Sequence, residues 1–357
     1  MKIDLIGGIL KKQVSWLTKQ GPDSDIAISS RIRLARNIKG IPFPVQADSL
    51  QLNETVDIVH LSLVNSPLFA DSECFDMSQL SQLEADILFE RHLISKEFSK
   101  KRKGSSLVIN AEADISLMIN EEDHLRIQCI LPGFQFDETW SQIDAVDTEL
   151  SRLISYEFDP ELGFLTSCPS NLGTGMRASV MVHLPALSIA GFSDAIVQSI
   201  FKMGFTVRGL SGEGSANLGN LFQISNQSTL GETEDSIIKR LSHIVQQIIK
   251  HERNARKKLL ETRKNYLLDK IGRAFGILRY SYLLSTPEAL ESLSMLKLGV
   301  DMNIISSVDI NTVNKLFITS QPAHLQNYLK SEMNSEKRDE VRAELFRKTL
   351  SNSKNVE

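Results

Sequence analysis

Three consecutive carboxylates occupy residues 121–123, between two short apolar stretches at 117–119 and 125–131. Apolar residues alternate in both stretches, which predicts two β-strands joined by a short acidic turn. A turn that only closes a hairpin would favour Asn-Gly, and adjacent carboxylates repel one another. The cluster therefore indicates a docking site for a cation, such as a metal ion, a guanidinium or an ammonium group. The alternative is an acidic turn exposed to water.

A pair of arginines forms a second candidate. Arg31 and Arg33 lie two residues apart in an apolar stretch, so on a strand their side chains share one face. Two guanidiniums on one face repel each other unless an anion lies between them. The spacing therefore favours an anion-binding strand, and a solvated basic strand edge is the alternative.

Two glycine-rich segments carry further polar residues. The first contains Cys168, the stretch Asn-Leu-Gly-Thr-Gly at 171–175 and then Arg177, and its spacing matches neither a P-loop nor a dinucleotide-binding motif. The second begins at Arg208, at the end of a predicted strand, and contains Glu213. Its glycines suit a mobile lid that closes over a substrate. An ordinary hairpin loop is the alternative.

The composition limits the class of function. The chain has 357 residues, a net charge of −4 and 41% hydrophobic residues, which suits a full core and argues against a general nucleic-acid-binding surface. No apolar run approaches the length of a membrane span, and the first ten residues are too short and acidic for a signal peptide. Three distant cysteines predict reduced thiols rather than disulfides or a zinc site, and so a cytoplasmic protein.

Hydrophobic periodicity predicts the elements that position these residues. A strand meander covers 104–131, with further strands at 26–34, 205–208 and 221–228, and helices are predicted at 1–20, 53–65, 78–94, 137–154, 193–203 and from 232. Helical periodicity continues to the end of the chain. We predict a catalytic domain at 1–252, a basic linker or helix extension at 253–267, and a helical domain at 268–357. The apolar positions of the last domain suit either a homodimer or the domain's own core.

The last predicted helix, residues 334–350, carries Arg338 and Arg342. Residues four apart lie on the same side of a helix, so the two arginines are expected to stack on one outward face. Such a pair suits a phosphate group, and a solvated charged face is the alternative.

Taken together, four segments resemble the phosphagen (guanidino) kinases, the superfamily of creatine and arginine kinase, and more closely its bacterial protein-arginine kinases. The segments occur in family order: Ser29-Ser-Arg-Ile-Arg-Leu-Ala-Arg-Asn37, Asn120-Glu-Glu-Asp-His-Leu-Arg126, Cys168-Pro-Ser-Asn-Leu-Gly-Thr-Gly-Met-Arg-Ala-Ser179 and Arg208-Gly-Leu-Ser-Gly-Glu213. The resemblance implies an α+β fold, in which a large antiparallel sheet flanked by helices (glutamine-synthetase-like) precedes a small all-helical domain. It also implies ATP-dependent phosphorylation of arginine side chains in proteins.

The resemblance assigns ATP to a group of basic and backbone-rich positions. Mg2+ would bridge the phosphate oxygens, with Glu121 as a candidate protein ligand of the metal, and His92 would lie near the nucleotide base. Five guanidiniums would surround the phosphates: Arg31, Arg33, Arg126, Arg177 and Arg208. The other positions implied to bind ATP are Ser29, Ser30, Ile32, Ala178, Ser179, Val180, Met181, Gly209, Leu210, Ser211 and Gly212.

The catalytic residues implied by the resemblance act on the acceptor guanidinium. Glu122 would bind it and take its proton, because an arginine side chain is always protonated in water. Glu213 would bind its other side and Cys168 would be a thiolate nearby. The first motif begins at residue 29, so the helical N-terminal domain of the small-molecule phosphagen kinases is expected to be missing, which would open the site to arginine in a protein.

The resemblance extends to regulation and partners. Arg338, Asp339, Arg342 and Ala343 match an Arg-Asp-x-x-Arg-Ala element, which implies an allosteric phosphoarginine site. The implied partners are proteins with exposed arginines, a zinc-binding activator of the McsA type and a Clp-type unfoldase in protein quality control, with no nucleic acid or membrane. Two other functions stay open: a free-arginine kinase, and a catalytically silent adaptor that binds phosphoarginine proteins. The intact set of arginines and glutamates argues against the adaptor.

Overall fold

The computed structural model describes residues 5–64, 66–100, 103–209 and 218–351, without the side chains of residues 193 and 194. The strands are β1 (Ala27–Arg36), β2 (Glu73–Asp76), β3 (Ser106–Ile109), β4 (Ile115–Ile119), β5 (Leu125–Pro132), β6 (Phe158–Asp159), β7 (Gly163–Phe164), β8 (Met176–His183), β9 (Phe205–Gly209) and β10 (Leu221–Asn226). The helices are α1 (Gly7–Lys11), α2 (Ser15–Thr18), α3 (Ser49–Val64), α4 (Gln82–Glu90), α5 (Phe136–Leu153), α6 (Pro185–Ile189), α7 (Ser193–Lys202), α8 (Glu234–Thr262), α9 (Lys264–Tyr280), α10 (Thr286–Asp301), α11 (Ile310–Thr319), α12 (Pro322–Leu329) and α13 (Ser335–Leu350).

One large sheet organises the molecule. Its strand order is β2-β3-β4-β5-β1-β8-β10-β9, and each neighbouring pair is antiparallel. The predicted large antiparallel sheet flanked by helices is therefore confirmed. β1 lies in the middle, between β5 and β8. Because side chains alternate along a strand, Arg31 and Arg33 share one face, and the fully buried Ile32 and Leu34 share the other.

The face that carries Ile32 and Leu34 packs against α3, α5 and α8 in one apolar cluster. The spacing of apolar residues explains this packing. In α5 the buried Ile143, Val146 and Leu150 recur every three or four residues and form a stripe toward the sheet. α8 carries a longer stripe of the same kind between residues 237 and 249.

The opposite face of the sheet, which carries Arg31 and Arg33, is covered by helices in part. α4 packs in a cluster with Leu107 and Met118 of β3 and β4. α2 and the helices that follow residue 264 pack in a second cluster with Ile130 of β5, Met181 of β8 and Leu221 of β10. Arg31 and Arg33 lie on this face, the open face of the sheet.

The chain is helical beyond residue 264, as predicted. α8 continues through residues 253–262, and after a break at Arg263 the backbone enters α9. The predicted 253–267 segment therefore falls on the end of α8 and the start of α9, and the domain division there stays a prediction. None of the helices in the described residues combines the length and the apolar composition that a membrane crossing requires.

The single helix predicted for residues 1–20 is wrong in the part that the structure describes. Two short helices, α1 and α2, replace it, with residues 12–14 between them. The reason is that their apolar residues serve different clusters. Ile9 packs in the cluster under α4, whereas Trp16 and Leu17 pack in the cluster with the C-terminal helices.

The predicted outward orientation of Arg342 is also wrong. Its side chain is 1% exposed, whereas Arg338 one turn earlier is partly exposed. Arg342 donates hydrogen bonds to the backbone oxygens of Ser320 (2.9 Å) and Leu284 (2.7 Å) and to Asp339 (2.6 Å). Ser320 caps the end of α11, where carbonyl groups lack partners within the helix. Arg342 satisfies such groups and is therefore drawn inward.

Candidate active site

The arginines of three neighbouring strands converge on the open face of the sheet. Arg33 of β1 lies directly opposite Arg177 of β8, and Arg126 of β5 extends from the same face. Burial and the charges of Arg126 and Arg177 lower the pKa of Arg31 to about 9. The same causes, with Arg31 added, lower the pKa of Arg33 well below its ordinary value. Such a cluster of mutually repelling guanidiniums is suited to binding a polyanion.

Hydroxyl groups on the same face hold the guanidiniums. Arg177 donates to Ser225 (Nη2 to Oγ, 3.2 Å) and to Thr206 (Nη2 to Oγ1, 3.4 Å). Arg31 Nε lies 3.5 Å from Ser179 Oγ. By contrast, Arg33 Nε is buried without a hydrogen-bond partner among the described residues. A neutral hydroxyl cannot compensate a guanidinium charge, so these hydrogen bonds orient the guanidiniums without neutralising them.

Ser225 and Thr206 were missed by the sequence analysis. They become recognisable once the register is known, because each lies on the row of residues that includes Ser179 across β8, β10 and β9. Arg208 lies at the end of β9, opposite Gln223. Gly209 is opposite Phe222. The predicted residues Leu210, Ser211, Gly212 and Glu213 lie outside the described residues.

The carboxylate of Glu121 is enclosed beside the arginines. It is 4% exposed, and it accepts hydrogen bonds from Arg126 Nη1 (2.7 Å), Ser95 Oγ (2.5 Å) and the backbone N–H of Glu122 (2.9 Å). Burial acts to raise its pKa, but the charge of Arg126 and these hydrogen bonds outweigh burial and lower the pKa of Glu121 below its ordinary value. Oε1 accepts two of these hydrogen bonds and Oε2 accepts one.

Glu122 has the opposite electrostatic setting. Its side chain is half-buried, and burial together with the charges of Asp123 and Glu121 raises its pKa. Arg126 and a hydrogen bond with Cys168 act in the other direction and do not cancel the shift. A carboxylate with a raised pKa holds a proton more readily, which is the property that a general base near neutral pH needs.

Asp123 ties the acidic turn to the Cys168 loop. Its Oδ1 accepts hydrogen bonds from Asn37 Nδ2 (2.7 Å) and from the backbone N–H of Ser167 (2.6 Å), and Ser167 Oγ donates to the backbone oxygen of Glu122 (2.9 Å). Asp123 is 2% exposed, so it does not face a ligand. It positions Cys168 beside Glu122, a role that the sequence analysis did not assign to it.

His92 lies near Arg31 of the guanidinium cluster. It contacts Trp16 edge to face, with the ring centroids 4.9 Å apart, and its backbone oxygen accepts from Gln128 Nε2 (2.7 Å). Burial and the charge of Arg31 lower the pKa of His92 to about 3, so its ring is neutral at physiological pH. Arg31 therefore connects His92 to the guanidinium cluster.

A cavity opens beside His92. It contains about 650 Å³ of space, part of which is open to solvent. Ile28 and Met181 of the sheet line one side, and Trp16 and His92 line another. The C-terminal helices close it with Lys297, Asn314, Phe317, Ile318 and Gln321. Local sequence patterns do not predict that these helices approach the site, because the cavity walls come from segments far apart in the chain.

Some predicted ATP-binding residues present only their backbone to this face. The side chains of Ile32, Ala178 and Val180 lie in the core on the far side of the sheet. Ser29 and Ser30 are buried, and Ser30 Oγ donates to the backbone oxygen of Gly133 (2.9 Å). These positions fix the strands that carry the arginines. Clusters of histidine, cysteine and carboxylate residues arranged for a metal ion do not occur within the described parts of the chain.

The family models and the relatives that match this chain all describe kinases that act on guanidino groups. Residues 57–255 match the family model "ATP:guanido phosphotransferase, C-terminal catalytic domain", and residues 264–357 match "Protein-arginine kinase McsB C-terminal domain". A protein-arginine kinase from Pelotomaculum thermopropionicum is 43% identical over 340 residues, which covers 94% of this chain and 96% of the relative. One from Halothermothrix orenii is 43% identical over 343 residues, which covers 96% of this chain and 98% of the relative.

Solved structures share the fold. A lombricine kinase superposes with a TM-score of 0.59 at 23% identity, covering 68% of this chain and 71% of that chain. A duplicated taurocyamine kinase from Schistosoma mansoni, with bound components of a transition-state analogue, also gives a TM-score of 0.59, at 24% identity, covering 73% of this chain and 39% of that chain.

Proposed function

The chain belongs to the protein-arginine kinase family, and we propose that it transfers the γ-phosphoryl group of ATP to a guanidino nitrogen of arginine side chains in proteins. One observation carries the assignment of the site: a crowded guanidinium cluster on the sheet lies beside the acidic turn that contains Glu122, and the charge of Arg126 acts on that carboxylate. The arginines would bind the phosphates of ATP, and Glu122 would bind the acceptor guanidinium.

The donor site is proposed from the charge balance. Arg31, Arg33, Arg126 and Arg177 repel one another, and a triphosphate would replace that repulsion by charge-assisted hydrogen bonds. Arg33 Nε, which has no hydrogen-bond partner in the described part of the chain, would donate to a phosphate oxygen. Arg208 and the glycine-rich segment that follows it would complete the set. Mg2+ would be held through the phosphate oxygens and would neutralise part of their charge during transfer.

The cavity beside His92 is the proposed place for the nucleotide base. Its aromatic and aliphatic lining, with Trp16, Met181 and Phe317, suits a planar base, and it adjoins the cluster at Arg31. The phosphates would then extend along the face toward the acidic turn. In this arrangement Lys297 and Gln321 of the C-terminal helices contribute to the nucleotide site.

The acceptor guanidinium is proposed to bind Glu122. A guanidinium is positively charged and a poor nucleophile, so one nitrogen must lose a proton as it attacks phosphorus. Glu122 would accept this proton, and its raised pKa favours that transfer. Cys168, hydrogen-bonded to Glu122, would contact the same guanidinium. Glu213, outside the described residues, would bind its other side.

The remaining expectations rest on family membership alone. They are a phosphoarginine site at Arg338, Asp339, Arg342 and Ala343, a zinc-binding activator of the McsA type, a Clp-type unfoldase, a homodimer and a cytoplasmic location. For the phosphoarginine site, Arg342 would have to exchange backbone partners for the ligand, since its guanidinium already binds Ser320 and Leu284.

The test is incubation of the full chain with Mg2+, γ-labelled ATP and either casein or free arginine, followed by mass spectrometry at neutral pH. We expect phosphoarginine on casein, and none with Glu122→Gln. Glu161→Gln, an exposed carboxylate on the β6–β7 turn, is the matched control and should retain activity. Product on free arginine alone would indicate the small-molecule kinase, and no acid-labile phosphate on either acceptor would indicate the silent adaptor.

A further inference from the structure

A second cavity, rich in cations, lies between the N-terminal segment, the end of α4 and helices α11 and α12. It contains about 1050 Å³ of space, part of which is open to solvent. Its lining includes the cationic side chains of Lys11, Lys12, Arg91 and Lys315, against Asp309 as the acidic member in the described part of the chain. These cations do not belong to the guanidinium cluster on the sheet.

Arg91 is the unusual member of this cavity. Its side chain is 6% exposed, and its Nη2 donates to the backbone oxygen of Lys12. Within the described residues it makes no ion pair, and burial lowers its pKa to about 10 with no carboxylate acting against the shift. The guanidinium is therefore charged at neutral pH, and a buried charge without a counter-charge is costly.

The carboxylates near this cavity are bound to groups other than Arg91. Glu73 pairs with Lys12 Nζ at 2.7 Å, and Asp309 caps the backbone at the start of α11. Glu90 accepts from His324 Nδ1 (2.7 Å) and from two backbone N–H groups of α12. His324 also lines the cavity, and its Nε2 is buried without a hydrogen-bond partner among the described residues. The cavity thus holds a buried cation, Arg91, whose charge none of these carboxylates balances.

We propose that this cavity binds a tetrahedral oxyanion of the phosphate class, with Arg91 as its central ligand. The planar guanidinium matches two oxygens of such an anion, and the exposed Lys11 and Lys315 at the rim would attract it. Free phosphate and a phosphorylated side chain share this chemistry. The inference does not depend on the proposed function, because none of the lining cations takes part in the proposed phosphoryl transfer.

A crystallographic test locates the anion directly. Crystals of the full chain are soaked in selenate and the anomalous difference density is measured at the selenium edge. We expect a peak within hydrogen-bond distance of the Arg91 guanidinium, and its loss in Arg91→Met. Peaks at Arg31 and Arg33 serve as an internal control for the soak and report on the proposed active site separately. A peak there without one at Arg91 would overturn the inference and leave the proposed function intact.

A solution test uses thermal unfolding of the full chain in a titration with inorganic phosphate. We expect part of the phosphate-dependent rise in melting temperature to disappear in Arg91→Met and in Lys315→Glu, where folding should be preserved because Lys315 is exposed. Lys250→Glu, an exposed lysine on α8, is the matched control and should keep the full rise. Equal rises in all four proteins would refute the site. A competition experiment then distinguishes the two sources of the anion. Phosphoarginine and inorganic phosphate are each added to the selenate soak. If phosphoarginine displaces selenate from Arg91 at a lower concentration than phosphate does, the ligand is a phosphorylated side chain.

Discussion

Glu121 and Glu122 are neighbours in the chain, yet the protein shifts their pKa values in opposite directions. Glu121 binds Arg126 at 2.7 Å in a nearly closed environment, which lowers its pKa. Glu122, half-buried and flanked by two other carboxylates, has a raised pKa. Glu121 therefore stays ionised beside Arg126 at neutral pH, and Glu122 binds a proton more readily than an ordinary glutamate does.

Replacing Glu122 by Gln should remove activity and stabilise the fold. Phosphoarginine formation should fall about 100-fold or more, the usual contribution of a general base. Because folding raises the pKa of Glu122, its ionisation costs stability as pH rises through that pKa, and Gln removes this cost. Urea unfolding should show the variant to be more stable at neutral pH, with no difference well below the ordinary pKa of 4.5. A variant that is both inactive and less stable at neutral pH would contradict the assignment.

Glu121→Gln should have the opposite effect on stability. Folding lowers the pKa of Glu121, so its contribution is present above its ordinary pKa of 4.5 and is lost as pH falls through the lower folded value. Breaking the pair with Arg126 should cost about 3 kcal/mol at neutral pH, a typical value for a buried ion pair that loses one partner. Urea unfolding at neutral and acidic pH measures this difference, which should shrink in acid. An equal cost at both pH values would indicate lost packing instead.

Arg33→Met should separate stability from nucleotide binding. Removing one guanidinium relieves repulsion in the cluster, so the ligand-free variant should unfold at a temperature equal to or above that of the parent. Its affinity for Mg-ADP should fall at least tenfold, since a hydrogen bond to a charged group contributes about 1.5–3 kcal/mol. Calorimetric titration measures the affinity. Arg152→Met, on the exposed side of α5, should change neither quantity.

Alkylation should inactivate the protein through Cys168. This thiol is partly exposed and lies beside Glu122, whereas Cys129 is buried and burial raises its pKa, which protects it. Iodoacetamide should therefore abolish phosphoarginine formation in the parent and in Cys74→Ser. Peptide mass spectrometry should show that activity is lost in proportion to the labelling of Cys168. Full activity with Cys168 completely labelled would exclude it from the acceptor site.

Trp16 should report nucleotide binding by fluorescence. It lines the cavity beside His92, whereas the other tryptophan, Trp140, lies on α5 at the opposite face of the sheet. Mg-ADP should change the emission of the parent and of Trp140→Phe, but not that of Trp16→Phe. If the change instead follows Trp140, the nucleotide base does not occupy this cavity.

The sequence by itself determined the features that depend on local spacing. Alternation placed Arg31 and Arg33 on one strand face, and the apolar runs around residues 121–123 identified the hairpin and its acidic turn. Periodicity every three or four residues identified α5 and the stripe of α8. These features follow from backbone geometry within a few residues, so no distant contact is needed to infer them.

Only the tertiary structure decided the properties that depend on distant partners. Ser95 and Arg126, which the sheet and the loops bring to the acidic turn, lower the pKa of Glu121, whereas burial beside two other carboxylates raises the pKa of Glu122. Arg342 points inward because carbonyl groups of other segments lie beside it, although its spacing from Arg338 suggested an outward face. The cavity of Arg91 likewise forms from segments far apart in the chain. Burial and charge balance are sums over all neighbours in space, and local periodicity does not contain them.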